Sequence, residues 1–216
     1  MSLTYTDYAN RAEWLKGRAA TIGASEAACI LGMGFMSADD LYREKTGKPR
    51  AAYKSGSENH RIAYGTAAEE HLRGLFALQF AAKYQMAYHP FRVYINDRHP
   101  HMSCTLDGEI EAIDGRRGIW ECKTAWIMRK SDADEWNGKL PQKYYIQLLA
   151  QLAVTEYDFA VLTAQLIYPD GASEIKHFPV QAAEVKADME YLACECEKFY
   201  TDCIMADKPP KTLLTL

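Results

Sequence analysis

The chain has 216 residues, 48% hydrophobic and 25% charged, and a formal net charge of −4. That is enough apolar chain for a single domain spanning residues 1–216 with a real core, and too much for a disordered one. No stretch approaches a membrane span and residues 1–10 lack the basic-then-apolar order of a secretory leader, so no membrane association and a cytoplasmic setting are expected.

In chain order, an amphipathic stretch over 13–18 leads into Thr21-Ile22-Gly23-Ala24-Ser25-Glu26, and small polar residues with an acid ahead of the apolar run 27–31 predict a helix start. Gly32-Met33-Gly34-Phe35-Met36 breaks that helix. Ser37 with Asp40 reads as a capping box for a short helix through Lys45, which Thr46-Gly47-Lys48-Pro49 ends. Over about 42–61 the chain carries Arg43, Lys45, Lys48, Arg50, Lys54 and Arg61 against Glu44 and Glu58, so this stretch is +4 and the remainder −8. An acidic total argues against a polyanionic partner, whereas a basic arm on an acidic body is either a nucleic-acid track or a solvated loop.

Residues 62–83 give the clearest long helix, with Leu72, Leu75, Phe76, Gln79 and Phe80 on one face. Glu69 falls on the flank of that face while Glu70 points away, and Gly65, one turn earlier, allows close backbone approach. An acid near a helix N-terminus is also favoured by the dipole alone. Strands are predicted at 91–95, 102–113 and 118–125, a helix at 141–154, strands at 159–168 and 174–180, and a packing helix at 182–206. This order predicts an α/β fold with a central mixed β-sheet flanked by α-helices. In the 141–154 helix, Tyr144, Gln147 and Gln151 form a polar stripe beside Ile146, Leu148, Leu149 and Leu152, and inward glutamines require partners. The six cysteines include no Cys-x-x-Cys pair, which predicts free buried thiols.

The strand Gly118-Ile119-Trp120-Glu121-Cys122-Lys123-Thr124 carries the chemistry. Alternation puts Glu121 and Lys123 on one face and Trp120, Cys122 and Thr124 on the other. On an exposed strand such a pair is ordinarily a solvated ion pair, but here its neighbours are apolar. With Asp107 on the same face, two carboxylates and a lysine form the metal and water site of a phosphodiester-cleaving enzyme. Cross-strand partners share a face, so paired residue numbers must sum to an even value for Asp107 to join Glu121. A two-residue Asp114-Gly115 hairpin gives an odd sum; a three- or five-residue loop within 114–118, or a bulge near Gly108, is required.

Five pieces in order now carry a family resemblance: Trp14 with Arg18 and Ile22-Gly23-Ala24-Ser25-Glu26; Gly65-Thr66-Ala67-Ala68-Glu69; Leu106-Asp107-Gly108; Trp120-Glu121-Cys122-Lys123; and Tyr144 with Gln147 before Gln151. The chain resembles the phage lambda exonuclease family, the YqaJ-type viral recombinases and alkaline exonucleases of the PD-(D/E)XK superfamily, with its restriction-endonuclease-like fold. The resemblance implies a Mg²⁺-dependent 5′-to-3′ exonuclease that degrades one strand of linear double-stranded DNA and leaves 3′ overhangs for phage-type recombination, in a bacterial cytoplasm. It implies one or two Mg²⁺ ions, replaceable by Mn²⁺, held by Asp107, Glu121, the backbone carbonyl of Cys122 and Glu69 through water. Lys123 would orient or help deprotonate the attacking water and Gln147 would position that lysine. Arg18 and Ser25 match a pocket for a 5′-terminal phosphate; taken alone they read as a surface ion pair with Glu13 or Glu26 and a helix cap.

Expected partners are DNA ends with 5′-phosphate, two further copies in a ring-shaped homotrimer, and a single-strand annealing protein. Where relatives carry an arginine wedge this chain has Met33 and Phe35, apolar side chains suited to insertion between bases. The family often has Ser-Pro before its aspartate, here Thr105-Leu106; Asp97 matches a family acidic position, and His99 and His101 read as surface or DNA-contacting. The competing expectations are an endonuclease of the same superfamily and a catalytically inactive DNA-binding or assembly module.

Overall fold

A computed structural model describes residues 2–49 and 58–211; Arg50 and Lys54 of the basic arm lie outside these residues. The chain opens with a strand not expected from sequence, β1 (Leu3–Asp7), then α1 (Arg11–Ala19), capped where Asn10 accepts from the Glu13 amide at 3.0 Å. At 21–31 the expected helix start is three pieces: β2 (Ile22–Gly23), a 3-10 turn over Ala24–Glu26, and α2 (Ala27–Ile30). The reason is tertiary, since β2 pairs in parallel with a later strand. The Ser37–Asp40 capping box opens α3 (Ala38–Lys45), with the Asp40 amide 3.1 Å from Ser37 Oγ. The long helix α4 spans Glu58–Gln79.

Strands β3 (Tyr84–Ala87) and β4 (Arg92–Asn96) follow. The single strand expected over 102–113 is broken into β5 (Met102–Ser103) and β6 (Gly108–Ala112). Residues 102–104 pair with β2 and, through a Tyr94–Cys104 bridge, with β4, whereas β6 belongs to the main sheet. Asp107 stands at this break. β7 (Arg117–Trp126), α5 (Lys130–Asp134), α6 (Gln142–Thr155), β8 (Phe159–Ile167) and β9 (Ser173–Gln181) complete the centre. The last helix, α7 (Lys186–Phe199), starts later than expected because 182–185 turn, and it closes in a π-helical turn over Tyr200–Met205.

The five-stranded sheet has the order β3-β6-β7-β8-β9. β7 and β8 are parallel and the other pairs antiparallel, so α6 is the crossover between β7 and β8. Ile119, Ala160, Leu162 and Ala164 face the layer of α6, α2 and α7, and Trp120, Cys122 and Val161 face α4 through Leu72 and Phe76. The sheet is therefore buried on both faces, and β7 must carry its polar residues inside the molecule. Trp120, fully buried, donates to Thr163 Oγ1 at 2.8 Å.

Gly118 shows how tight this sandwich is. A Cβ there would fall 2.4 Å from the ring of Phe159, itself buried in the core. Gly118→Ala is expected to cost about 1–3 kcal/mol, read as a lower urea midpoint at unchanged m-value; an unchanged midpoint would refute it.

None of the six cysteines is disulfide-bonded; Cys29, Cys104, Cys122 and Cys196 are buried as expected, whereas Cys194 is exposed and Cys203 intermediate. Among the described residues no helix is long and apolar enough to cross a membrane.

Candidate active site

The β6–β7 register has the required parity. Gly108 faces Trp120 and Glu111 faces Arg117, and the Ala112 amide bonds to Arg116 O at 2.9 Å, leaving a three-residue loop of Ile113, Asp114 and Gly115, which starts one residue ahead of the expected 114–118 because Ile113 leaves the strand. Gly115 takes φ +83°, a left-handed conformation that suits glycine. Continued one step past Gly108, this register brings Asp107 opposite Glu121.

Glu121 is 2% exposed, and its carboxylate is held on every side. Lys123 Nζ and Gln147 Nε2 both donate to Oε1, the latter at 2.6 Å, while Gln151 Nε2 donates to Oε2 at 2.6 Å. Both glutamines come from the polar stripe of α6, one turn apart. Gln147 reaches Lys123 only through their shared oxygen, so it positions the glutamate directly and the lysine through it. Gln151 also donates to Thr105 O at 3.2 Å, two residues ahead of Asp107.

Asp107 Oδ2 accepts from the Cys122 amide at 2.9 Å, which fixes the aspartate to the strand that carries Glu121. Burial and the charges of Glu121 and Glu69 push its carboxyl well above the ordinary range, against the pull of Lys123. Burial alone would lower Lys123, but Glu121 and Asp107 outweigh it and hold the ammonium above its usual range. Lys123 is thus a stable cation in a nest of acids. The Cys122 side chain packs on the α4 side, and burial followed by the charge of Asp107 pushes its thiol pKa up.

Glu69 approaches from α4, where Gly65 permits the close packing: a Cβ there would lie 3.1 Å from Thr124 Oγ1. Sequence reasoning missed Arg73. Its guanidinium donates to Glu69 Oε1 at 3.0 Å and to Asp107 O at 2.8 Å and lies 3.6 Å over the Tyr88 ring, tying two of the acids together. The signal was present as an i, i+4 acid–base pair on α4.

Glu69, Asp107, Glu121, Lys123 and Gln147 line one cavity of about 530 Å³, which Trp14, Arg18 and Ser25 line as well. Arg18 donates to Ser25 Oγ at 3.4 Å and lies 4.8 Å over Trp14. Glu26 is taken by Lys45 at 2.7 Å and by the Gly23 amide at 2.7 Å, which holds the 23–26 turn in shape. A second cavity of about 430 Å³ meets the first at Thr66, Glu69, Asp107 and Lys123 and is walled by Phe35, Arg61 and Ile62. The acids stand where the two join.

The YqaJ-like viral recombinase domain model matches residues 13–158. The chain belongs to this family. A curated relative, the uncharacterized protein YqaJ of Bacillus subtilis (strain 168), is 28% identical over 148 residues, 67% of this chain and 42% of that protein, so the chain spans less than half of its relative's length. Among solved structures, LHK-Exo in complex with dAMP superposes with a TM-score of 0.63 at 16% identity, covering 91% of this chain and 94% of that one. A second structure of LHK-Exo, an alkaline exonuclease from Laribacter hongkongensis, gives 0.59 at 17% over 91% and 94%. A phage related exonuclease from Haemophilus somnus 129PT gives 0.53 at 14% over 87% and 96%. The fold is the mixed α/β fold of these solved structures, a central mixed sheet flanked by helices, and the family that the chain belongs to is that of the YqaJ-like viral recombinase domain.

For this YqaJ-like domain the structure redistributes the expected DNA contacts. Lys45 is not available to DNA: its side chain is 4% exposed and locked on Glu26. Arg43 pairs with Asp39 at 2.6 Å, and Lys48 with Asp207 and Tyr42, so the described part of the arm spends its charge within the molecule. Arg61 differs, lining the second cavity 5.8 Å from the Trp126 ring. Met33 and Phe35 are 42% and 60% exposed, and Phe35 lies 6.1 Å from Tyr144 with Lys143 Nζ 4.7 Å over its ring. Asp97 is exposed and lines neither cavity. His101, expected at the surface, is 7% exposed and packs on Tyr200 at 5.9 Å; burial lowers its pKa.

Proposed function

We propose that this protein is a Mg²⁺-dependent 5′-to-3′ exonuclease on linear double-stranded DNA, leaving 3′ overhangs. The observation that carries this reading is the single cavity lined by Arg18 and Ser25 together with Asp107, Glu121, Glu69 and Lys123, which shares Glu69, Asp107 and Lys123 with a second cavity. A strand whose 5′-phosphate is gripped by Arg18 and Ser25 would present its first phosphodiester to the acids and continue past Phe35 and Arg61.

The donor set fits a hard divalent cation. Asp107 is held beside Glu121 and Glu69, and its burial together with those charges raises its carboxyl pKa against the pull of Lys123. Among the described residues no three His, Cys, Asp or Glu side chains are close enough to enclose a metal ion together. The two carboxylates of Asp107 and Glu121 match Mg²⁺, which retains several waters and takes one or two carboxylates. Asp107, Glu121 and the Cys122 carbonyl would hold it, with Glu69 through water, and Mn²⁺ would substitute. When bound, the ion would supply Lewis-acid polarisation of the phosphate and a more acidic water. Lys123, kept protonated by its acids, orients the attacking water and steadies developing phosphate charge in preference to acting as base. Gln147 holds the Glu121 oxygen that Lys123 grips. Arg18 supplies a fork and Ser25 a hydroxyl for the terminal phosphate.

A ring-shaped homotrimer and a single-strand annealing partner follow from the family resemblance; topology would then retain DNA that an acidic surface does not. Digestion of linear duplexes with 5′-phosphate or 5′-hydroxyl ends, with Mg²⁺ or with EDTA, tests the reading. Phosphorylated ends should be degraded faster, EDTA should stop degradation, and Arg18→Ala should erase the preference by raising KM for phosphorylated ends. Equal rates on both ends would dismiss the clamp; cutting of closed circles would favour the endonuclease alternative.

A further inference from the structure

Gln151 is 1% exposed in the most apolar part of α6, beside the fully buried Leu148 and Leu152. A residue kept only to fill that space would be apolar, since a buried amide must find partners for all its polar atoms. Gln151 finds them for its nitrogen alone. Nε2 donates at 2.6 Å to Glu121 Oε2 and at 3.2 Å to Thr105 O, and Oε1 is buried with no hydrogen-bond partner. The amide is thus oriented by what it donates to, at the expense of its own oxygen. Those two acceptors lie on different pieces of chain: Glu121 on β7, and Thr105 in the link that leads from β5 to Asp107.

We infer that Gln151 is a positioning residue for the metal-binding acids: it fixes the second carboxylate oxygen of Glu121, the one that Lys123 and Gln147 do not hold, and sets the spacing between Glu121 and Asp107. Lys123 and Gln147 both hold Oε1, so Gln151 is the protein group that decides where Oε2 stands. Without it the carboxylate could rotate about its Oε1 anchors, and the Thr105–Asp107 link would lose a tie to α6. This inference rests on the metal-dependent reading of the site.

Outer-sphere partners of metal ligands typically contribute about 10–100-fold to affinity. Titration calorimetry with Mn²⁺ alone, in the absence of DNA, should therefore show Gln151→Met binding about 10–100-fold more weakly than wild type, with Gln151→Asn, which keeps an amide on a shorter arm, as a second variant should Met not fold. Cleavage by the same variants should recover toward the wild-type kcat at high Mn²⁺. Leu152→Ala, fully buried on the same helix but touching no acid, controls for loosening of α6: it should lower Tm and leave Mn²⁺ affinity unchanged. Wild-type affinity in a folded Gln151 variant, or an equal loss in Leu152→Ala, would overturn the inference. Absence of Mn²⁺ binding by the wild type would overturn it together with the metal-dependent reading.

Discussion

Lys123→Met is expected to reduce single-turnover cleavage of a 5′-phosphorylated duplex by roughly 10²–10⁴-fold, the usual contribution of a positioned proton-holding group. DNA affinity, measured by fluorescence anisotropy, should remain near wild type, because Lys123 sits inside the acidic cluster and not on an outer wall. The same change should lower Tm. Glu121 is 2% exposed, and losing its one cationic donor among the described residues leaves a buried carboxylate held by two neutral amides. Removing one partner of a buried ion pair costs about 3–5 kcal/mol in the general case, and the two glutamines should keep the loss toward the lower end. Cleavage within tenfold of wild type would remove Lys123 from the mechanism.

Asp107→Asn should do the opposite to stability while also abolishing cleavage. Asp107 has a folded-state pKa raised above its ordinary value by burial and by Glu121 and Glu69. A carboxyl raised on folding destabilises the native state once pH exceeds its unfolded pKa, and the penalty is complete only above the folded pKa. The asparagine carries no such penalty and its side-chain oxygen can still accept from the Cys122 amide. In metal-free buffer the variant should therefore melt higher than wild type near neutral pH, by about 2–4 °C for each kcal/mol relieved. The difference should shrink as pH falls toward the ordinary Asp range and vanish below it. A lower Tm for Asp107→Asn at neutral pH would mean that the acid is a structural anchor and not a strained ligand.

The opposite signs of these two effects mark the site as one in which binding capacity is held at a cost to stability. Much of it was legible in sequence because it depends on local periodicity. Alternation on β7 separates Glu121 and Lys123 from Trp120 and Cys122, and parity ties Asp107 to Glu121 through the loop of Ile113, Asp114 and Gly115. The 3- and 4-residue spacing brings Gln147 and Gln151 to one stripe. What was not legible is non-local. Lys45 looked like part of a basic track because its partner Glu26 lies in a separate element, and β1 and β2 form only because distant strands pair with them. The break between Ser103 and Gly108 was invisible for the same reason: one apolar run serves two different sheets. Gln147 was assigned to Lys123, and only coordinates reveal that the oxygen between them belongs to Glu121.

The helix that bridges the parallel strands has a temporal meaning as well as a spatial one. Asp107, Glu121 and Lys123 all precede α6 in the chain, but the amides that aim Glu121 are delivered by α6, the crossover that leads into β8 and its parallel pairing with β7. Long-range parallel pairing is a late and slow event in folding. A partly made chain therefore possesses all of its acids before it possesses their alignment, and the proposed activity would arrive with completion of the fold, not with synthesis of the residues assigned to it.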